Sequence, residues 1–325
     1  MRLLLERLLH TLLVVWAVVT ILFLMFRLMP GSPLAAYLHD NLSEEQQNLI
    51  LQQFGLDRPL WEQYFIYLGN LLQGELGVSF FQRRPVLDVL LAVFPNTIVL
   101  TLSSLIVAYV FGVLAGAYLA WRRNSVIERA AVPAVLAIRA APEFWIGMVL
   151  LAIFSFELGW LPSGGANSPG MFYDSEIDRF LSLDFLRHLI LPVLTLALYL
   201  QGLPLLLMRS NMLEVMHDEF VTMARMKGLS EWSIVIRHAA RNALLPVLTA
   251  FALGVGVSVG GNVVVEIVFS WPGIGRLLVN AVATLDYPLA QGAFLLIALV
   301  LIFMNFVADM LYSMLDPRVS HARVA

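Results

Sequence analysis

The chain has no cysteine, a single lysine and little charge of either sign. Without cysteine it has no disulfides, thiolate metal sites or thiol nucleophile, and the redox compartment stays open. Charged residues make up 13% of the 325 positions, about half the share of a soluble domain. Hydrophobic residues reach 60% and the mean hydropathy is +0.82. A water-soluble core of this length cannot hide that much apolar surface, so the main solvent is lipid. Catalytic signatures are missing too. The histidines His10, His39, His188, His217, His238 and His321 are scattered, without HExxH or paired ligand spacing. A phosphate-binding loop needs Gly immediately before its Lys, whereas Lys227 follows Met226. The chain is therefore no P-loop ATPase, and any ATP-driven work enters through another subunit.

What the sequence does have is long apolar runs. Crossing the hydrocarbon takes about 20 mostly apolar residues, and 8–29, 97–120, 134–157, 188–208, 245–268 and 289–312 qualify. They predict an all-α membrane protein with six transmembrane helices. The first run is longer than a secretory signal's apolar stretch and no cleavage site follows promptly, so it is expected to remain in the mature protein. The net charge of -3 says little, because the charges are sorted by region. Arg2, Arg7, Arg122, Arg123, Arg129, Arg209, Arg225, Lys227, Arg237, Arg241, Arg318 and Arg323 fall on one side, which predicts that side, with both termini, to be cytoplasmic. On the other side, 30–96 carries two short amphipathic helical patterns, SEEQQNLILQQFGL and PLWEQYFIYLGNLL, and reads as a small periplasmic helical insertion between helices 1 and 2. The 160–187 loop is rich in Gly, Ser and Pro and acidic, as expected of a mobile outer loop.

Several residues within the runs stand out. Gly112 and Gly116, and Gly256 with Gly260 and Gly261, allow close helix approach, either within the chain or at a subunit interface. Pro192, Pro204 and Pro246 are expected to break or kink helices 4 and 5. Arg139 and Glu143, four residues apart at the start of helix 3, are expected to form a structural ion pair. Glu266 and Asp309 are intramembrane acids without an obvious local partner, and so gate or pathway candidates.

The segment between helices 4 and 5, 209–245, is basic and amphipathic. Leu213, Met216, Phe220, Met223 and Ala224 fall on one side of a helical wheel, with Glu214, Asp218 and Arg225 on another. Gly228 is a helix stop and Ser230 an N-cap. Trp232, Val235, Ile236, Ala239 and Ala240 then repeat at helical spacing, opposed by Glu231, Arg237, His238 and Arg241, and Pro246 starts the next span. Such a segment either lies on anionic lipid or docks a partner.

The run ARMKGLSEWSIVIRHAARNALLPVLT resembles the cytoplasmic "EAA" loop of binding-protein-dependent ABC importer permeases, in the dipeptide and oligopeptide form. The resemblance spans nearly the whole chain: RLMPGSP, FGLDRPLWEQYFIYLGNLLQGELGVSF, APEFWIGMVLL, LPSGG, VEIVFSWPGIGRLL, DYPLAQG and DMLYSMLDPRV occur in that order. It implies a type I importer membrane domain, with 1–29 as tail and first helix, 30–96 as insertion and 97–325 as permease core. It further implies that Ala224, Gly228, Leu229, Ser230 and Pro246, with Arg225 and Lys227 as flanking cations, form an ATPase-coupling loop. Thr222 and Met223 occupy the Glu-Ala positions, and the spacing from Gly228 to Pro246 is longer than in generic permeases, as in the peptide branch.

By that resemblance the chain is a non-catalytic subunit of the bacterial inner membrane without cofactor of its own. Its implied partners are a second similar permease, two ATPases that bind ATP and Mg, a periplasmic solute-binding protein and the bilayer, with no nucleic acid. Cargo is implied to be peptides, with nickel complexes, opines and oligosaccharides as alternatives within the branch. The rival is an ion-gradient-driven secondary transporter or channel, for which Glu266, Asp309, Arg139 and Glu143 would be the coupling sites.

Overall fold

A computed structural model describes residues 2–28, 58–258 and 262–315, and among these the fold is helical, with one isolated bridge between Val78 and Pro85 in place of any strand. The helices are α1 (Arg2–Arg27), α2 (Leu60–Leu72), α3 (Val86–Trp121), α4 (Val126–Ala140), α5 (Glu143–Leu150), α6 (Glu176–Leu181), α7 (Leu183–Leu200) and α8 (Gly202–Val215). Then come α9 (Glu219–Met226), a short turn Glu231–Ser233, α10 (Ala240–Ser258), α11 (Val263–Val268), α12 (Ile274–Ala283) and α13 (Tyr287–Leu315). Among the described residues two stretches are wound as π-helix: Leu151–Glu157, which continues α5, and Ile234–Ala239, which leads into α10.

Among the described residues, four helical stretches are long and apolar enough to cross a membrane: Arg7–Arg27, Val86–Trp121, Leu183–Leu200 and Tyr287–Val307. A fifth is α4 with α5 and its π-helical continuation, but only as a pair bent by 103°. The run 134–157 is therefore not one straight helix. Ala141 and Pro142 are both extended, at ψ 142° and 138°, and Pro142 disfavours helical geometry at Ala141, the residue before it. The run 188–208 crosses the α7–α8 junction at Gln201, and 245–268 is divided between α10 and α11. Pro246 does not start a span but lies inside α10, where it removes the amide that would bond to the Asn242 carbonyl. The SEEQQNLILQQFGL pattern, Gly260 and Gly261, Arg318 and Arg323, the surroundings of Gly256 and the side chain of Asp309 lie outside what the structure describes.

Two compact units organise the chain, one formed by Met1–Pro95 with Gly273–Ile302 and the other by Asn96–Pro272 with Phe303–Ala325. In the first, Val19, Leu22, Phe26, Val86, Leu90, Leu278 and Leu289 share one core. Helix α2, the second amphipathic pattern of the insertion, lies against α1: Phe23 contacts the rings of Tyr64 and Tyr67 at 5.2 and 5.6 Å, and Thr20 and Tyr64 share a 2.7 Å hydrogen bond. Asp286 is fully buried before α13 and accepts from Ser79 Oγ, the Phe80 and Phe81 amides and the Leu289 amide. Asp286→Ala is expected to lower stability by about 3 kcal/mol or more, since it leaves several buried donors unpaired at once. The shift in unfolding midpoint in detergent checks this, and an unchanged midpoint contradicts it.

In the second unit α3 and α8 approach to backbone contact at Gly112 and Gly116. A Cβ on Gly112 would lie 2.8 Å from Pro204 Cγ and 3.0 Å from the Gln201 carbonyl, and one on Gly116 would collide with the Leu205 carbonyl. This glycine pair therefore serves packing within the chain, the first of the two uses its spacing allows. The 160–187 stretch is pinned at several points. Asp184 accepts from the Ser168 amide and hydroxyl at 2.8 and 2.6 Å, and the Gly165 amide donates to the Phe269 carbonyl at 2.9 Å.

Candidate functional site: the basic segment

The predicted continuous helix through 213–225 is interrupted. Helix α8 ends at Val215, and Asp218, extended at φ -68° and ψ 151°, opens α9. Helix α9 stops where the sequence places a stop. Gly228 has φ +76°, a left-handed conformation that glycine adopts without strain. Its amide donates to the Arg225 carbonyl at 2.9 Å and the Leu229 amide to the Ala224 carbonyl at 3.3 Å. This pair of bonds is the Schellman C-cap. Ser230 then caps the next turn, its hydroxyl accepting from the Ser233 amide at 3.4 Å. Gly228, Leu229 and Ser230 thus form one compact reversal.

Burial divides the apolar residues differently from the helical wheel. Val221, Ala224 and Ile234 form a buried cluster, packed with Val215 and Met216. Phe220 and Met223, assigned to the same side as Ala224, point outward, as do Met226 at 76% exposure, Leu229 and Trp232. The surface of the reversal is therefore apolar, with Lys227 at its edge as the residue that caps α9. Arg225 donates through Nε to Glu231 Oε1 at 2.8 Å across the turn. That bond raises the guanidinium pKa above its ordinary value. Both side chains are about half exposed, and such a bridge contributes only about 0–1 kcal/mol. Its role is to hold the two arms of the reversal in register.

Sequence reasoning missed the ties that fix this segment from outside. Trp232 packs edge-on against Trp121 with ring centroids 5.8 Å apart, and Arg123 donates to His217 Nε2 at 3.2 Å. The buried Glu128 accepts from Arg209 Nε at 2.9 Å and from Arg209 Nη2, and also from the Asn124 amide. The Ser125-x-x-Glu128 spacing, with Ser125 capping α4, was the available local signal. The Arg209 and tryptophan partners are distant in sequence and left none.

The other candidates sit elsewhere. Glu266 is fully buried and accepts from Thr97 Oγ1 at 2.8 Å, while Asn262, one turn earlier, donates to Thr101 Oγ1 at 3.3 Å. Arg139 and Glu143 are not brought together. They belong to α4 and α5, the 103° bend at Ala141–Pro142 lies between them, and no ion pair joins them among the described residues. Their four-residue spacing implied one helix face, and Pro142 removes that premise. Among the described residues no cluster of His, Asp and Glu is suited to a metal ion.

Apolar helices and a capped, externally braced reversal with an apolar surface mark a multi-pass membrane component. The chain belongs to the family described as the binding-protein-dependent transport system inner membrane component, which matches residues 108–321, with the family's N-terminal region matching residues 1–101. It is 40% identical over 322 residues, 95% of each chain, to the di/tripeptide transport system permease protein DppB of Pseudomonas aeruginosa. It is 36% identical over 316 residues, 97% of this chain and 98% of the other, to the glutathione transport system permease protein GsiC of Escherichia coli. The chain is thus a non-catalytic permease subunit of an ABC importer, and the ion-gradient-driven alternative is not favoured.

Proposed function

We propose that this subunit imports peptides or similar small solutes delivered by a periplasmic binding protein, and that the reversal around Gly228 is where it is driven. Its membrane domain has six spans, with 30–96 as a periplasmic insertion, 97–325 as the core and both termini cytoplasmic. A second, similar permease completes the pathway, and two ATPases bind ATP and Mg on the cytoplasmic side. The peptide assignment is supported by the relatives' transport of di/tripeptides and glutathione.

The observation that carries the coupling assignment is the outward apolar surface of Phe220, Met223, Met226, Leu229 and Trp232 on a reversal whose inward side is anchored by Val221, Ala224 and Ile234. A short helix with apolar anchors on one side fits a groove on a partner, and Arg225 and Lys227 suit an acidic rim. Closure of the ATPase pair on ATP would carry the reversal with it and turn the cavity outward, and hydrolysis would reset it. Nucleotide drives this by its different affinity for the two states. Pro246 lies within α10, beyond the reversal, and its role is to relax that helix as it moves. Glu266 is assigned to the gate, because its bond to Thr97 ties α11 to α3.

The absence of cysteine makes the test direct. Met226→Cys in the assembled transporter is expected to crosslink to an ATPase subunit carrying a groove cysteine, with a yield that changes between nucleotide-free and ATP-bound states. Leu72→Cys, 89% exposed on α2, should give no such product. No crosslink from position 226 in either state removes the coupling assignment.

A further inference from the structure

A cavity of about 350 Å³ lies in the first unit, walled in part by Phe26 and Arg27 of α1, Gln63 and Tyr67 of α2, and Gln291 of α13. Its depth is set by α1: Arg7 and Arg27 bracket the apolar run, so Arg27 stands where hydrocarbon gives way to headgroups. Helix α2 exposes Trp61 and Phe65, α1 exposes Leu24 and Met25, and Leu28, just past the end of α1, is exposed as well. Aromatic side chains of this kind collect at the membrane interface.

The polar groups of the wall are incompletely satisfied. Arg27 stacks near the Phe23 ring at 5.8 Å, and no carboxylate among the described residues pairs with it. Gln63 is only 8% exposed; its Nε2 donates to the Arg58 carbonyl at 2.7 Å, but its Oε1 has no partner. The Tyr67 hydroxyl is also buried without a hydrogen bond, with Gln291 nearby but outside bonding geometry. Buried polar atoms are seldom left so. The wall thus offers a cation seeking an anion, an acceptor seeking a donor, and a hydroxyl that can serve as either. Glu75 adds a carboxylate at the exposed edge.

We propose that this cavity seats the headgroup of an amine-bearing phospholipid, with the phosphodiester on Arg27, the ammonium towards Gln63 Oε1 and Glu75, and the acyl chains along the exposed apolar side of α1. A guanidinium suits a phosphate through charge-assisted hydrogen bonds. Gln63 and Glu75 give the selectivity, because a glycerol headgroup brings the same phosphate without the ammonium.

The test uses the complete transporter, delipidated in detergent and returned to nanodiscs of equal parts phosphatidylethanolamine and phosphatidylglycerol, with retained lipid counted by native mass spectrometry. Wild type is expected to retain one phosphatidylethanolamine per copy of this chain. Arg27→Gln should lower its retention about tenfold, the loss of one charge-assisted contact. Gln63→Leu should erase the preference over phosphatidylglycerol, while Gln63→Glu, which keeps the acceptor, preserves it. Equal retention of the two lipids by wild type overturns the proposal even if every variant misfolds. Displacement by millimolar inorganic phosphate or glycerophosphoethanolamine overturns it in favour of a soluble phosphate ligand, and displacement by dialanine in favour of a zwitterionic solute. Persistence of the bound lipid against all three supports it.

Discussion

Replacing Gly116 with leucine is expected to abolish the folded protein. Even a single Cβ at this position would collide with the Leu205 carbonyl and would lie 3.0 Å from Met208 Cβ and 3.2 Å from the Arg209 amide. Two of these three neighbours are backbone, so no rotamer change makes room, and α3 and α8 would have to separate. The α3–α8 region shares the core of Tyr109, Met208, Met212 and Ala239, and parting it exposes all of that surface together. Overpacking of a well-packed core costs about 1–3 kcal/mol even when side chains can adjust, and the cost here is expected to exceed that. Size-exclusion profiles of detergent extracts should show loss of the monodisperse peak. Gly69→Leu serves as control, because nothing lies within 4 Å of its Cβ position. A monodisperse Gly116→Leu variant at wild-type yield would show that α3 and α8 do not pack as described.

The second large effect is expected at Gly228, and there the cause is conformation rather than space. No atom lies within 4 Å of a Cβ built on it, but its φ of +76° disfavours any other residue. Left-handed geometry costs an L-residue about 1–2 kcal/mol, more when β-branched, and asparagine tolerates it best. Gly228→Val should therefore insert and assemble but lose most solute uptake, with ATP hydrolysis no longer answering to the loaded binding protein. Gly228→Asn should retain uptake to within about twofold, because it keeps the left-handed turn. If valine and asparagine are equally harmful, the reversal's backbone geometry is not what matters at this position. If both are harmless, the coupling role falls.

What the sequence makes legible depends on how local the controlling physics is. Gly228 and Ser230 announce the reversal because cap chemistry is written within a few residues. Helices α1, α3 and α13 announce themselves through sustained apolarity, which lipid requires along the entire span. The run 134–157 was misjudged because a hydropathy window averages over Pro142, whose local effect divides the run and separates Arg139 from Glu143. Pro246 misled in the opposite sense, since a helix already established from Ala240 accommodates it. Phe220 and Met223 show a third limit. Periodicity finds apolar positions, but which of them turn inward was settled by packing against Val215, Met216 and Ile234, and the others stay outward.

The Trp121–Trp232 contact and the Glu128–Arg209 pair have a mechanical consequence. A segment that receives a push and is attached only through its own chain ends would absorb the stroke by bending. This one is braced by the Trp121–Asn124 turn and by α4 as well as by α8 and α10. On the proposed coupling, a displacement delivered at Met226 has little slack to fill before helices on both sides of the reversal begin to move.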